Sequence, residues 1–360
     1  MKRRLIFYAP FGYKIPEQRL GGAESGCRRT LKIYQESGLT VCCIDKPAIS
    51  RGRMVYAVGM LMVPIHLLWL MLLYREAPVH IVGFYCKIAR YELILIRLAH
   101  LLHHKVVYEM RNGNVAQSYY DGTDGYKATL GKLCTEPEIV FGQGEEVVNF
   151  VERTFGRRIN CYPNFIADDY ITGVVPAKGK QMQLIFFGRI APPKNIHIMI
   201  DVVERLVACG MDVQLKLIGS YKEDYFSYLQ QKLEAEGLQD RVKFYGRQSL
   251  DFIVGELRQS HYFLFPTVNK GEGHSNSLTE AMACGVVPIV SNVGFNASVC
   301  GCKELVVENI DAEDFANRIL NIEKSGLWAD YAKRMIERVR ENYTESIVGK
   351  MLMEKVNEIM

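Results

Sequence analysis

The sequence predicts an α/β protein of two parallel, doubly wound halves, and three observations predict it. Short apolar runs rich in β-branched and aromatic residues alternate with longer helical patterns. A turn-rich stretch, TGVVPAKGKQ at Thr172–Gln181, interrupts the alternation, which then restarts in the same form. At 360 residues the chain is about twice the usual domain size, in keeping with two Rossmann-like domains. In such sheets ligands bind beyond the carboxyl ends of the strands, so the expected site is a cleft between the two halves.

In the first half, RLIFYAP (4–10) reads as a strand, AESGCRRTLKIYQESG (23–38) as a helix and TVCCID (40–45) as a strand. HIVGF (80–84), a helix through ARYELILIRLAHLL (89–102) and KVVYEM (105–110) follow. In the second half the strands are MQLIFFG (182–188), VQLKLIG (213–219), RVKFYG (241–246), YFLFP (262–266) and VVPIVS (286–291). Helices are expected between them, at 195–210, 223–237 and 250–259, with a short one before VVPIVS. The opening MKRRLIFYAPFGYK has too short an apolar run for a signal peptide and reads as the first strand.

Composition is that of a soluble globular protein, with 49% apolar and 23% charged residues. The ten cysteines include no C-x-x-C pair, which argues against a zinc site and for a reducing, cytoplasmic setting. Net charge is +4 overall but +6 over residues 1–172, so an anionic partner is expected on that side. No nucleic-acid partner is expected.

The stretch MVYAVGMLMVPIHLLWLMLLYR, Met54–Arg75, is long enough for a membrane span. Gly59, Pro64 and His66 interrupt it, and it lies between two strands. The expectation is a core helix broken at Pro64, with contact at a membrane surface as the alternative and a true span as the third reading. Arg51 and Arg53 just before it, and Arg153, Arg157 and Arg158, are the basic groups that would face an anionic surface.

Two segments carry chemistry. In FFGRIAPPKN, Gly188 turns the chain after a strand, and Arg189 and Lys194 stand before a helix, where a guanidinium fork and a lysine point charge suit a pyrophosphate. In GEGHSNSLTEAMACG (271–285), Ser277 and Glu280 have capping-box spacing, which would put Glu280 in the first helical turn, and Gly285 would end the helix. The same helix start suits a phosphate, and the Glu280 carboxylate suits the paired hydroxyls of a ribose. Glu272, earlier in the loop, would reach beyond the phosphates. His274 reads as a hydrogen-bonded structural residue rather than a base.

The segment GEGHSNSLTEAMACGVVPIVS resembles the E-x7-E signature of retaining glycosyltransferases of family 4 (glycosyl transferases group 1), with Glu272 and Glu280 as its two glutamates. FGRIAPPKN resembles that family's phosphate-binding segment through Arg189 and Lys194. LGGAESGCRRTLKIYQESGLTV resembles its N-terminal glycine loop through Gly21 and Gly22, and CYPNFI the stretch before its interdomain linker. The resemblance implies the GT-B architecture: an acceptor domain at 1–172, a nucleotide-sugar domain at 173–344, and a helix at about 345–360 packing back on the first. It implies sugar transfer from a nucleotide-sugar donor to a glycan or lipid-linked acceptor with retained anomeric configuration, in polysaccharide, lipopolysaccharide or glycolipid synthesis.

By the same resemblance Glu272, Arg189 and Lys194 are catalytic. Gly188, Gly273, His274, Ser275, Asn276, Ser277, Leu278, Glu280, Gly21 and Gly22 bind the donor. Arg111 stands where many members have a histidine and is the acceptor-side residue to test. Neither cofactor nor metal is expected: the two cations take the place of a metal, and there is no D-x-D triplet. The alternatives are an epimerase of the same fold or a binding protein without turnover.

Overall fold

The computed structural model describes residues 3–13, 21–49, 52–83, 86–171 and 173–360. In the first part of the chain the elements are β1 Arg4–Ala9, α1 Gly22–Glu36, β2 Thr40–Asp45, α2 Arg53–Leu73, β3 Val79–Gly83, α3 Ala89–Leu101, β4 Val106–Met110, α4 Val115–Tyr120, α5 Asp124–Thr135, β5 Ile139–Gly142, α6 Glu145–Phe155 and β6 Asn160–Cys161. The second part holds β7 Met182–Phe187, α7 Ile196–Ala208, β8 Val213–Ile218, α8 Glu223–Glu236, β9 Val242–Gly246, α9 Leu250–Leu257, β10 Tyr262–Phe265, α10 Asn276–Ala283, β11 Val287–Ser291, α11 Asn296–Cys300, β12 Val306–Val307, α12 Ala312–Ser325 and α13 Trp328–Asn342. The last helix is α14, Glu345–Asn357.

The chain forms two compact units, one of residues up to Phe165 together with Glu345–Met360, the other Ile166–Thr344. The division falls before the expected boundary after Thr172, a residue outside those described. Ile166 is already bound into the second unit: it bridges Thr344, and its N–H donates to the Tyr343 carbonyl at 2.9 Å. The first unit has a parallel sheet of order β2-β1-β3-β4-β5-β6. Its inner strands β3 and β4 are buried along their whole length, which is why they read as unbroken apolar runs rather than as alternation. α14 belongs to this unit; Val348, Leu352 and Val356 pack into the core with Phe7, Ile33 and Phe165.

Arg111 is not at a free strand end. Its guanidinium is buried in the first unit, paired through Nε with Glu109 and reaching Thr30 Oγ1 at 3.3 Å. Glu109 in turn faces His80 at 3.3 Å, and His80 Nδ1 meets the Tyr34 hydroxyl at 2.8 Å. An arginine in such a site needs its carboxylate, because an unpaired buried charge is costly. Arg111 directly follows β4, and its charge is paired within the first unit.

α2 also departs from expectation. The helix runs unbroken through Pro64. Proline removes the N–H that would bond the Met60 carbonyl, and the Tyr91 hydroxyl of α3 supplies the missing donor to that oxygen at 2.8 Å. Nor is α2 a core helix. Val63, Leu67, Leu70 and Met71 are buried, but Leu61 is 73%, Ile65 59%, Trp69 59% and Leu72 54% exposed. One face thus packs on the unit while the opposite apolar stripe stays exposed among the described residues; by length and composition the helix is also long and apolar enough to cross a membrane.

In the second unit the sheet order is β12-β11-β10-β7-β8-β9, all parallel. Renumbered from β7 this is the 3-2-1-4-5-6 order of a dinucleotide-binding sheet, and its direction reverses between β7 and β10. The loops after these two strands are the segments carrying Arg189–Lys194 and Glu272–Glu280.

Candidate functional site

The β7 loop begins at Gly188, whose φ is 141°. Its carbonyl lies against Gly219 at the end of β8, so close that a Cβ on Gly219 would fall 1.7 Å from the oxygen. Both strand ends can lie together only because Gly219 has no side chain. The chain then makes a short 3-10 turn at Pro192–Lys194 and enters α7 through Asn195, a left-handed residue with φ 51°. The Asn195 side chain is buried and donates to the Pro266 carbonyl at 2.8 Å. Thr267 Oγ1 donates to the Pro193 carbonyl at 3.1 Å and the Val268 N–H to the same oxygen at 3.0 Å. These bonds tie the β7 loop to the β10 loop across the reversal of strand order.

Across that junction Lys194 Nζ pairs with Glu272 Oε2. The ammonium also lies 4.6 Å from the centre of the Phe265 ring. Glu272 is held by Asn269 Nδ2 at 3.2 Å, and its carbonyl accepts from the Phe295 N–H at 3.2 Å. Arg189, on the same loop as Lys194, is exposed and makes no hydrogen bond or ion pair with any described residue. An arginine fork thus stands open beside a lysine and carboxylate already in register.

α10 begins at Asn276 with Ser275 as its cap residue. Ser249 and Asp311 cap α9 and α12 with their side chains, whereas no side chain caps α10. The Ser275 hydroxyl bonds Ser277 Oγ at 3.0 Å instead. The capping box of Ser277 and Glu280 is therefore not formed, and Glu280 sits in the second turn, half-buried. No side chain thus caps the first-turn N–H groups of Asn276, Ser277 and Leu278, at the positive end of the helix. Gly285 ends the helix with φ 73°.

His274 is buried; Nε2 contacts Thr279 Oγ1 at 2.7 Å and the ring packs edge-on against Tyr343 at 4.6 Å. It holds the start of α10 in place. Gly273 precedes it as part of the same turn. Gly21 and Gly22 lie in the first unit, where Gly21 precedes α1 and its N–H donates to Glu24 Oε2 at 3.1 Å. Residues 14–20 of that glycine loop lie outside the described residues.

Sequence reasoning missed Gly219, Asn195, Asn269 and Gly294, which build the junction through contacts within the protein. Gly294 has φ 60°, and a Cβ there would lie 2.1 Å from the Glu272 carbonyl oxygen. The signal available was a glycine directly after an apolar run, as at Gly219, but which backbone it must admit is a tertiary fact. Gly294→Ala should destabilise the protein by about 1–3 kcal/mol and displace Glu272. Denaturant unfolding and donor titration check this, and wild-type values in both would show that the loop yields without cost.

Among the described residues the one acidic group spaced for a metal is Asp201, Glu204 and Glu236. Lys232 pairs with both Asp201 and Glu236, so a cation is already built into it.

Residues 171–342 match the family described as glycosyl transferases group 1. The chain carries a domain of that family. The group 1 domain takes in the β7 loop, the β10 loop, α10 and most of the second unit. Over 191 residues the chain is 27% identical to a phosphatidyl-myo-inositol mannosyltransferase of Mycolicibacterium smegmatis, covering 52% of this chain and 47% of the relative. Over 139 residues it is 26% identical to the phosphatidylinositol N-acetylglucosaminyltransferase gpi3 subunit of Schizosaccharomyces pombe, covering 38% of this chain and 30% of that one. The matches thus span a third to a half of these relatives' length. The Anabaena HepE protein, solved in complex with UDP, superposes with a TM-score of 0.76 at 14% identity, covering 99% of this chain and 100% of the other. The fold is GT-B.

Proposed function

We propose that this protein is a glycosyltransferase that moves a sugar from a nucleotide-sugar donor to a lipid-linked acceptor with retention of anomeric configuration. The observation that carries the reading is the Lys194–Glu272 pair at the β7/β10 strand reversal, beside the uncapped start of α10. Cations and helix N–H groups at one end suit a diphosphate, and a carboxylate next to them suits sugar hydroxyls.

In this reading Arg189, Lys194 and the N–H groups of Asn276, Ser277 and Leu278 stabilise charge as it builds on the departing diphosphate. Glu280 binds the ribose, and Glu272 orients the transferred sugar. The glycosidic bond lengthens toward an oxocarbenium-like state, and the leaving phosphate accepts the acceptor's proton. Two side-chain cations do the work of a divalent ion, so activity is expected to survive EDTA. Loss of activity in the chelator, restored by manganese, would overturn the metal-free account.

The acceptor assignment draws on the two curated relatives, both named for phosphatidylinositol. It also draws on α2. The unpartnered stripe Leu61, Ile65, Trp69 and Leu72 suits the apolar edge of a bilayer. Arg53 stands at one end of the helix, and Arg3, Arg4 and Arg75 line a cavity with Leu72 and Leu73 at the other. Cations at both ends of an apolar stripe suit an anionic membrane surface. The second basic group foreseen in the sequence contributes less: Arg157 donates to the carbonyls of Thr135 at 2.9 Å and Glu138 at 2.8 Å, and Arg158 pairs with Glu145 and Glu152. Arg51 lies outside the described residues.

The test is incubation with UDP-, GDP- and ADP-sugars and a phosphatidylinositol-containing vesicle, followed by product analysis. Transfer of label to lipid supports the proposal. A changed sugar nucleotide with no transfer identifies an epimerase, and binding without turnover identifies a nucleotide-sugar-binding protein.

A further inference from the structure

We propose that a cavity of the first unit, between α2 and the carboxyl ends of β1 and β2, holds one hydrocarbon chain of the acceptor lipid. The inference rests on the glycosyltransferase reading for the word acceptor, but the residues that line the cavity all belong to the first unit. Its volume is about 830 Å³, within the range of pockets that enclose a small ligand. Pro10 and Gly12 follow β1, and Pro47, Ala48 and Ile49 follow β2. In the order β2-β1-β3 the sheet reverses direction beside β1, the place where open α/β sheets bind ligands.

The polarity of the wall selects the ligand. Three charged side chains reach the cavity, and each is engaged within the protein. Asp45 Oδ1 accepts from the N–H groups of Phe11 at 2.8 Å and Gly12 at 3.1 Å. Lys46 Nζ donates to Glu92 Oε1 at 2.9 Å and to the Val82 carbonyl at 3.0 Å. Glu24 Oε2 accepts from the Gly21 N–H at 3.1 Å. An oligosaccharide would bring many hydroxyls to a wall whose ionic groups are already turned to internal partners, and unmatched polar groups lose affinity. A hydrocarbon chain brings no hydroxyl that needs a partner, and it covers the apolar side chains of the wall.

α2 supplies the rest of the wall through Val55, Val58, Gly59, Met62 and His66. These lie on one helical stripe, neighbour to the outward stripe of Leu61, Ile65 and Trp69, and Val63 at the edge of the packed face completes the wall with Tyr56 and Met60. Val55, Val58 and Met62 remain half-exposed. The helix therefore presents three faces: one packed, one outward, and one lining the cavity. The two unpacked faces adjoin, and Val58 and Met62, both more than half exposed, stand where the outward stripe meets the cavity.

The test uses the full chain and n-alkyl β-glucosides from hexyl to decyl, below their micelle concentrations, with binding followed by calorimetry. Affinity should rise about threefold to fourfold per methylene. Ala48→Trp, which fills the cavity, should flatten that dependence and weaken decyl glucoside at least tenfold, with nucleotide affinity unchanged. Val58→Trp gives a second reading at an exposed position that does not threaten folding. Ile65→Ser, on the outward stripe, should leave the series as in wild type. A flat series in wild type, or a series unmoved by both tryptophans, overturns the proposal. Loss of the series in Ile65→Ser alone also overturns it, by placing the chain on the outer face. A chain-length dependence that responds as stated in a protein that binds no nucleotide sugar would support the cavity while refuting the glycosyltransferase reading.

Discussion

Lys194→Ala is expected to lower kcat/KM for sugar transfer by roughly 10- to 150-fold, the range for loss of a charge-assisted hydrogen bond of about 1.5–3 kcal/mol. The loss has two parts. The diphosphate loses a cation, and Glu272 loses the ammonium that faces it. Both side chains are mostly screened from water, with 18% of Lys194 and 14% of Glu272 exposed, so solvent replaces the missing charge poorly. The bare carboxylate then repels the donor. Glu272→Gln in the same chain should recover part of the binding loss, a coupling of about 0.5–3 kcal/mol between residues in contact. Glu272→Gln alone should leave free nucleotide binding nearly intact while slowing transfer, and Glu280→Ala should weaken free nucleotide itself. Transfer kinetics with labelled donor and calorimetry with free nucleotide read these effects. Strictly additive losses from Lys194→Ala and Glu272→Gln would show that the two do not act as a pair, and equal losses of nucleotide affinity from the two glutamate changes would refute their separate roles.

The second large effect concerns α2. Wild-type protein is expected to float with vesicles containing anionic lipid and to stay down with neutral ones at low protein concentration. Replacing Leu61, Ile65 and Trp69 together by serine should abolish flotation. Burying a large apolar side chain contributes about 1.5–3 kcal/mol, and all three stand more than half exposed on one stripe. Their removal empties no fully buried position, although Trp69 leaves the His66 ring, so the thermal midpoint should change little. Arg3→Glu with Arg75→Glu should weaken flotation at low salt, by about 1 kcal/mol for each basic residue lost, and the difference should shrink as salt shortens the screening length below about 8 Å. Undiminished flotation of the triple-serine protein would mean that another surface meets the membrane.

Strands and helices of this protein are legible in the sequence because their signals are local. β3 and β4 read as unbroken apolar runs because both of their faces are covered. The E-x7-E segment and the Gly188–Lys194 loop were legible as chemistry because residue type and spacing are written along one stretch of chain. Their meeting was not: Lys194 and Glu272 lie 78 positions apart, and only the order of β7 beside β10 brings them together. The same order decides that Gly219 must admit the Gly188 carbonyl and that Gly294 must admit that of Glu272.

Tertiary structure also reversed two local readings. Spacing made Ser277 and Glu280 a capping box, but the helix starts earlier, at Asn276, because buried His274 and Thr279 anchor its first turn. Composition made α2 a core helix broken at proline. Tyr91 repairs the break, and the sheet leaves room to cover only one face of a helix that is apolar on every side. By itself the sequence marked most strands of the two sheets, the helices between them and the segments that carry the candidate chemistry, since periodicity and residue chemistry are properties of neighbouring positions. Which of those residues meet, and which apolar face is left for a partner, was decided by strand order and packing, because both depend on contacts between residues far apart in the chain.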